Sequence, residues 1–420
     1  MTHSGTTQAT QPARGTGRLG KRGAFWSAAS VLALVLWSSG APSVLYPIYA
    51  AQWDLSPLVI TTVFATYQLA LVLVLPLFGN LSDRFGRRLI MMAGIGLIAA
   101  SAIVFAVAPH VAFLFVGRVL QGAGAGLAMG AGTASLIENN TSASPRFASS
   151  MATVATATGL TLALVLGGLV ARFVPLPLFW SYIVLLILCC ASIAALLCTP
   201  DDRPSGVQRW RPQAPGVPRG IRLQLSIATL SVSLAYCVGA IFLSLGAHMI
   251  TAFTHTGNTA IVGVLLGCSA AAIGITALFL SRVRAYVSVT VGAALTLLSL
   301  GLMAAASAFG SILLFLGWCV IGGIAYSFAF TGGLGLINQA APERQRGATL
   351  SLLYLLAYTF QAVTAIGVGA LATTSTLSAA VGVAALALAG LSTSLLVLMV
   401  LENRVRRSGH SPSSPASRRT

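Results

Sequence analysis

Arg118 interrupts the apolar run 111–137, and Gln121 follows it three residues later. On a helix that spacing puts both on one face. A guanidinium there costs at least about 2 kcal/mol to hold in hydrocarbon, so it must face an aqueous cavity or a partner. It suits an anionic or polar substrate, or a structural arginine bonded to helix carbonyls, or one that snorkels outward. Further along, Tyr354, Tyr358 and Gln361 recur at helical spacing on one stripe. Polar groups avoid lipid, so that stripe should face protein or a cavity. A third constellation is Gly79-Asn80-Leu81-Ser82-Asp83-Arg84-Phe85-Gly86-Arg87-Arg88. Its glycines permit tight turns and close helix approach. Asp83 can cap a helix or face the positive end of another.

The acids are seven: Asp54, Asp83, Glu138, Asp201, Asp202, Glu343 and Glu402. None falls in the middle of an apolar run. The titratable candidates for handling a proton are Asp54, Glu138 and His248. The six cysteines show neither metal spacing nor a disulfide framework. No cofactor, nucleophile–base pair or nucleotide-binding loop is read, which argues against an enzyme and against direct drive by ATP.

The elements that must position these groups are membrane spans. Of 420 residues, 56% are hydrophobic and 7% charged, against about 25% charged in soluble domains. A span needs about 20 apolar residues. Twelve are expected: 25–49, 57–79, 88–108, 111–137, 147–173, 177–199, 222–250, 259–281, 285–306, 311–338, 347–372 and 376–401. The basic residues before the first run resemble a signal peptide, but no cleavage site ends that run, so it reads as a retained span. On this map 22 of the 24 lysines and arginines lie on one side. Cations are retained on the cytoplasmic side, which puts both termini there. The net charge of +17 is thus explained without nucleic acid. Residues 1–24 form an N-terminal cytoplasmic tail, 25–199 one six-helix bundle, 200–221 a linker, 222–402 a second bundle and 403–420 a C-terminal tail. The tails are expected to be disordered. A faint repeat at an offset of 200 pairs Gly122 with Gly322, Leu136-Ile137 with Leu336-Ile337 and Arg146 with Arg346. Duplicated halves are a transporter signature.

The segment 79–88 resembles motif A of the major facilitator superfamily, G-x-L-x-D-R-x-G-R-R/K, in the loop where that family places it. Gly117-Arg118 to Gln121-Gly122-Ala123-Gly124 resembles motif B. The fifth span departs from motif C: its Gly-Pro pair is replaced by Ala163-Leu164, although Gly159, Ala163 and Gly167 form a small-residue stripe. The resemblance implies an all-α membrane protein of twelve helices in two pseudo-symmetric six-helix bundles. It implies that Gly79, Asp83, Arg84, Gly86, Arg87 and Arg88 form a cytoplasmic latch, with Arg87 meeting Glu138. The corresponding loop of the second half, 281–286, keeps the charge without the acid or glycines. By the same resemblance, spans 1, 4, 7 and 10 line the path, which nominates Trp37, Tyr46, Arg118, Gln121, Tyr236, Trp318 and Tyr326. Tyr67 and Gln68 join them, with Tyr354, Tyr358 and Gln361 from the stripe. Arg118 acquires a second role in relatives, that of tuning a proton site.

The leading expectation is a monomeric secondary transporter in the plasma membrane, bedded in lipid. It would be a proton-linked exporter of small neutral, zwitterionic or anionic compounds, since no acid faces the cavity. The alternatives are an importer or facilitator of a small metabolite, and a multidrug exporter of organic cations.

Overall fold

The computed structural model describes residues 19–78, 81–142, 145–200, 220–280, 282–342 and 345–408. Helices follow one another along the chain. The first half holds α1 (Lys21–Trp53), α2 (Pro57–Phe78), α3 (Leu81–Phe85), α4 (Arg87–Ala106), α5 (Val111–Glu138), α6 (Pro145–Phe173) and α7 (Pro177–Leu197). The second holds α8 (Arg222–Thr254), α9 (Thr259–Leu280), α10 (Ala285–Phe309), α11 (Ile312–Ala340), α12 (Arg346–Thr374) and α13 (Leu377–Ser408). Twelve of them, all but the short α3, are long and apolar enough to cross a membrane. Each corresponds to an expected span. The ends of α1, α8 and α13 run further, to Lys21, Thr254 and Ser408. Their outermost turns are polar or charged, and an apolar window stops before such residues. The α3 turn escaped sequence reading because one helical turn has no periodicity to detect.

Two buried clusters form the core. One is drawn from the first half, with Ala240 and Ala365 reaching in. The other is drawn from the second half, with Val44 and Leu164 reaching in. Within the first half α5 packs on α2 and α4, α1 on α5 and α6, and α4 on α7. In the second half α11 packs on α8, α9 and α10, α12 on α8, and α10 on α13. Each half therefore buries its own apolar faces, as a six-helix bundle must.

The structure corrects the register of the repeat. Helix α1 spans Lys21 to Trp53 and α8 spans Arg222 to Thr254, a shift of 201 at both ends. Pro145 to Phe173 of α6 and Arg346 to Thr374 of α12 give the same shift. Packing agrees. A Cβ on Gly122 would strike α2 at Tyr67, and one on Gly323 would strike α9 at Ser269. The match of Leu136-Ile137 with Leu336-Ile337 is thus one residue out: Ile137 is exposed whereas Ile337 is buried.

The halves meet chiefly through α6 with α9 and α2 with α12. Their firmest contacts lie at the end of the bundle away from the chain termini. A Cβ on Gly168 would sit 2.6 Å from Thr259 O, and one on Gly263 2.5 Å from Leu164 O, so only glycine lets these backbones touch. Thr259 Oγ1 donates to Gly168 O at 3.3 Å, and Leu58 N–H donates to Thr373 Oγ1 at 3.0 Å. The small-residue stripe of α6 is also corrected. Gly159 packs within its own half against Ala33, a Cβ on Gly167 would meet open space, and Gly168 makes the inter-half crossing instead.

Candidate functional site

A cavity of about 390 Å³ lies between the halves, lined by α1, α2, α5 and α6 on one side and α8, α9, α11 and α12 on the other. It occupies the middle of the bundle and the half nearer the chain termini. It reaches Thr133, which is solvent-exposed, five residues before the end of α5. The glycine crossing of α6 and α9 lies towards the opposite end, and neither Gly168 nor Gly263 is among the lining residues. No Asp, Glu, Lys, Arg or His is among the cavity's lining residues, of those described.

Of the nominated residues, Tyr67, Gln68, Tyr236, Trp318, Tyr326, Tyr354, Tyr358 and Gln361 line this cavity. The stripe on α12 is thereby placed as its spacing suggests. Tyr236 is the hub of an aromatic group. Its ring lies 6.2 Å from Tyr326, 5.8 Å from Phe330 and 4.7 Å from Tyr358. Phe330 was missed, because a lone Phe in an apolar span carries no signal. Its position one helical turn after Tyr326 could have revealed it. Gln68 is 2% exposed and Gln361 7%, and the Oε1 atom of each has no hydrogen-bond partner among the described residues.

Arg118, Gln121, Tyr46 and Trp37 are corrections, since they stand behind the cavity wall and not in it. Arg118 is fully buried. It donates to Ser39 O and to Gln121 Oε1, both at 3.1 Å, and to the Tyr46 hydroxyl. Its guanidinium carbon also lies 5.6 Å from the Tyr46 ring centroid, 5.9 Å from Phe64 and 5.8 Å from Tyr67. Aromatic faces attract a desolvated cation. Its hydrogen-bond acceptors are thus neutral, and it ties α5 to α1 near Pro42, where the α1 backbone lacks a donor. Trp37 is buried in the first-half core. The facing of these groups went astray because helix spacing gives a direction, while a long side chain bends to reach sideways.

The latch residues cluster within the first half. Gly79 lies outside the described residues, as does the side chain of Asp83. Gly86 has φ 89°, a conformation open to glycine. Arg84 is exposed and sits over the Phe85 ring. Arg87 forms an ion pair with Glu138 at 3.2 Å and also donates to Ser82 Oγ. Arg88 donates to Leu197 O at 2.8 Å. These contacts join α3, α4, α5 and α7, so Arg87–Glu138 does not itself bridge the halves. In the second half Tyr286 O–H donates to Glu402 Oε1 at 2.6 Å, joining α10 to α13. Asp54 is exposed and ends α1 in a left-handed conformation, φ 48°. His248 is half-buried on α8, and its Nδ1 has no hydrogen-bond partner among the described residues.

A family model described as Major Facilitator Superfamily matches residues 28–283, more than half of the chain. The chain is 33% identical over 67 residues to a triacylglyceride transporter of Mycolicibacterium smegmatis, covering 16% of this chain and 12% of that protein. It is 27% identical over 133 residues to Multidrug resistance protein 2 of Bacillus subtilis, covering 31% of this chain and 33% of that protein. The chain thus spans a third or less of the length of these curated relatives. Among solved structures, a bacterial homologue of the human lysosomal transporter Spinster, inward-facing and unoccupied, superposes with a TM-score of 0.72. Identity is 13%, covering 94% of this chain and 99% of that one. The nucleoside transporter NupG gives 0.71 at 15% identity, covering 91% and 99%. At such identities the likeness is one of fold.

Proposed function

The chain belongs to the major facilitator superfamily, and from that premise we propose that it is a secondary transporter. It carries small uncharged organic molecules by alternating access and exports them in exchange for protons. The observation that carries this reading is the cavity between two separately packed halves, extending towards one end of the bundle while α6 and α9 are in backbone contact at the other. With the termini cytoplasmic, as the basic loops favour, this is the inward-facing state. Loading then occurs from the cytoplasm, and release requires the Gly168–Gly263 crossing to part while the terminal end closes.

The charge-free lining supports an uncharged cargo. A charged molecule entering it would lose hydration without gaining a counter-ion. Arg118 is committed to Ser39, Gln121 and Tyr46, which favours a structural role over that of substrate anchor. Export draws support from relatives named for multidrug resistance. The absence of the Gly-Pro pair in α6 favours import or facilitated passage as the second reading. Proton coupling falls to Asp54, His248 and Glu138, with Arg87–Glu138 and the segment 79–88 acting as a latch on the first half. A monomer in the plasma membrane suffices for this cycle.

The test is proton flux in proteoliposomes holding a pH gradient and a trapped pH-sensitive dye. Addition of carbazole, a neutral three-ring compound, should dissipate the gradient, and N-methylacridinium, a permanent cation, should not. The triple variant Asp54→Asn, His248→Gln, Glu138→Gln should abolish the response. Dissipation that survives all three substitutions removes these residues from coupling, and dissipation by the cation alone makes the protein a cation exporter.

A further inference from the structure

Resting on that reading of the cavity, we propose that its cargo is a flat aromatic molecule bearing at least one N–H or O–H donor. The molecule lies on a patch of rings in the second half, and the amides of Gln68 and Gln361 read its donors.

The ring geometry comes first. The centroids of Tyr236, Tyr326 and Phe330 are 6.2, 5.8 and 5.9 Å apart, with planes inclined by 18°, 16° and 25°. The three separations are nearly equal and each pair is stacked with an offset, so the rings form a stepped triangle and not a single column. Their shared tilt gives the patch one face direction. Tyr358, tilted 51° against Tyr236 at 4.7 Å, raises a side wall. All four rings line the cavity. A surface with one orientation matches a planar conjugated ligand, since aromatic pairs favour offset stacking of parallel faces. A cage for a quaternary ammonium instead surrounds the cation with faces from several directions. Arg118 also lies behind the Tyr67 wall, and its field opposes a second positive charge.

The polar atoms come second. Gln68 on α2 and Gln361 on α12 are both more than nine-tenths buried and line the cavity, and the amide oxygen of each is itself buried without a partner among the described residues. Helices α2 and α12 pack against each other across the two halves. The two residues therefore meet the cavity from opposite halves. An unmet buried acceptor is destabilising, and a ligand donor that reaches it recovers the loss. Because parting of the halves moves α2 against α12, a donor-bearing ligand held by both would be held by one after the switch, which couples recognition to release.

Carbazole has one ring N–H, and N-methylcarbazole has the same outline without it. N-methylacridinium supplies the cation. Dissociation constants follow from ligand-dependent thermal unfolding of the full chain in detergent. Carbazole should bind about tenfold tighter than N-methylcarbazole, the worth of one net hydrogen bond. In Gln68→Leu with Gln361→Leu the two should come within about twofold of each other. If that double variant does not fold, Gln361→Leu alone should narrow the preference. Tyr236→Leu, or Tyr326→Leu if the first is unstable, should weaken both neutral probes alike by about tenfold. Equal binding of the neutral pair to the wild type, with loss in Tyr236→Leu, overturns the amide clamp and leaves the cavity reading intact. Binding of both neutral probes that neither tyrosine variant changes overturns the cavity reading as well. Tightest binding of N-methylacridinium overturns the uncharged cargo.

Discussion

The two halves share a scaffold, in a register of 201 residues for α1 with α8 and α6 with α12, and differ in where they keep their polar chemistry. The first half holds Arg118, Gln121 and Tyr46, and the second has Cys319, Gly322 and Ala247 at the matching positions. Conversely, Tyr236, Tyr326 and Gln361 of the second half correspond to Val35, Ala125 and Leu160 of the first. The hydrogen-bonding cluster of the first half is sealed within it, whereas the aromatic group of the second opens on the cavity. Duplication supplied two equal frames. On the reading proposed above, one serves as a fixed reference braced by a buried cation and the other as the recognition surface.

That division can be broken most directly at Arg118. Arg118→Ala strands Ser39 O, Gln121 Oε1 and the Tyr46 hydroxyl, and should cost about 3 kcal/mol of stability. At the matching site Cys319→Ala should cost about 1 kcal/mol. Denaturant titration in detergent measures both, and equal losses would sink the asymmetry. A smaller effect is expected where each half ties its helices at the terminal end. Tyr286→Phe removes a donor from a carboxylate that is 4% exposed, and should cost about 1.5–2 kcal/mol in the same titration. The smallest effect belongs to Arg87–Glu138, whose side chains are 20% and 53% exposed. A double-mutant cycle on Arg87→Ala and Glu138→Ala should give a coupling of about 1 kcal/mol or less, shrinking in high salt. A coupling above that of Tyr286 would mean the first-half loop is the stronger brace, and would sharpen the latch assignment.

The spans were legible because hydropathy and the sidedness of arginine agree, and two independent signals rarely err together. The α12 stripe was legible because three polar groups at helical spacing in lipid have one tolerable direction. The register of the repeat was not, since glycines are frequent enough to match at 200 as readily as at 201. Packing against α2 and α9 was needed to choose. Nor was the partnership of Arg118 legible. Its acceptors include a backbone carbonyl at Ser39, which every residue possesses and no pattern marks.

The separateness of the two buried clusters bears on biogenesis. Apart from Ala240 and Ala365, the first cluster is complete once α7 has left the ribosome. That half can therefore settle in the bilayer while the second is still being translated, in keeping with domains folding as units during synthesis. The later half would then assemble beside a finished template, with the backbone contact at Gly168 and Gly263 made last.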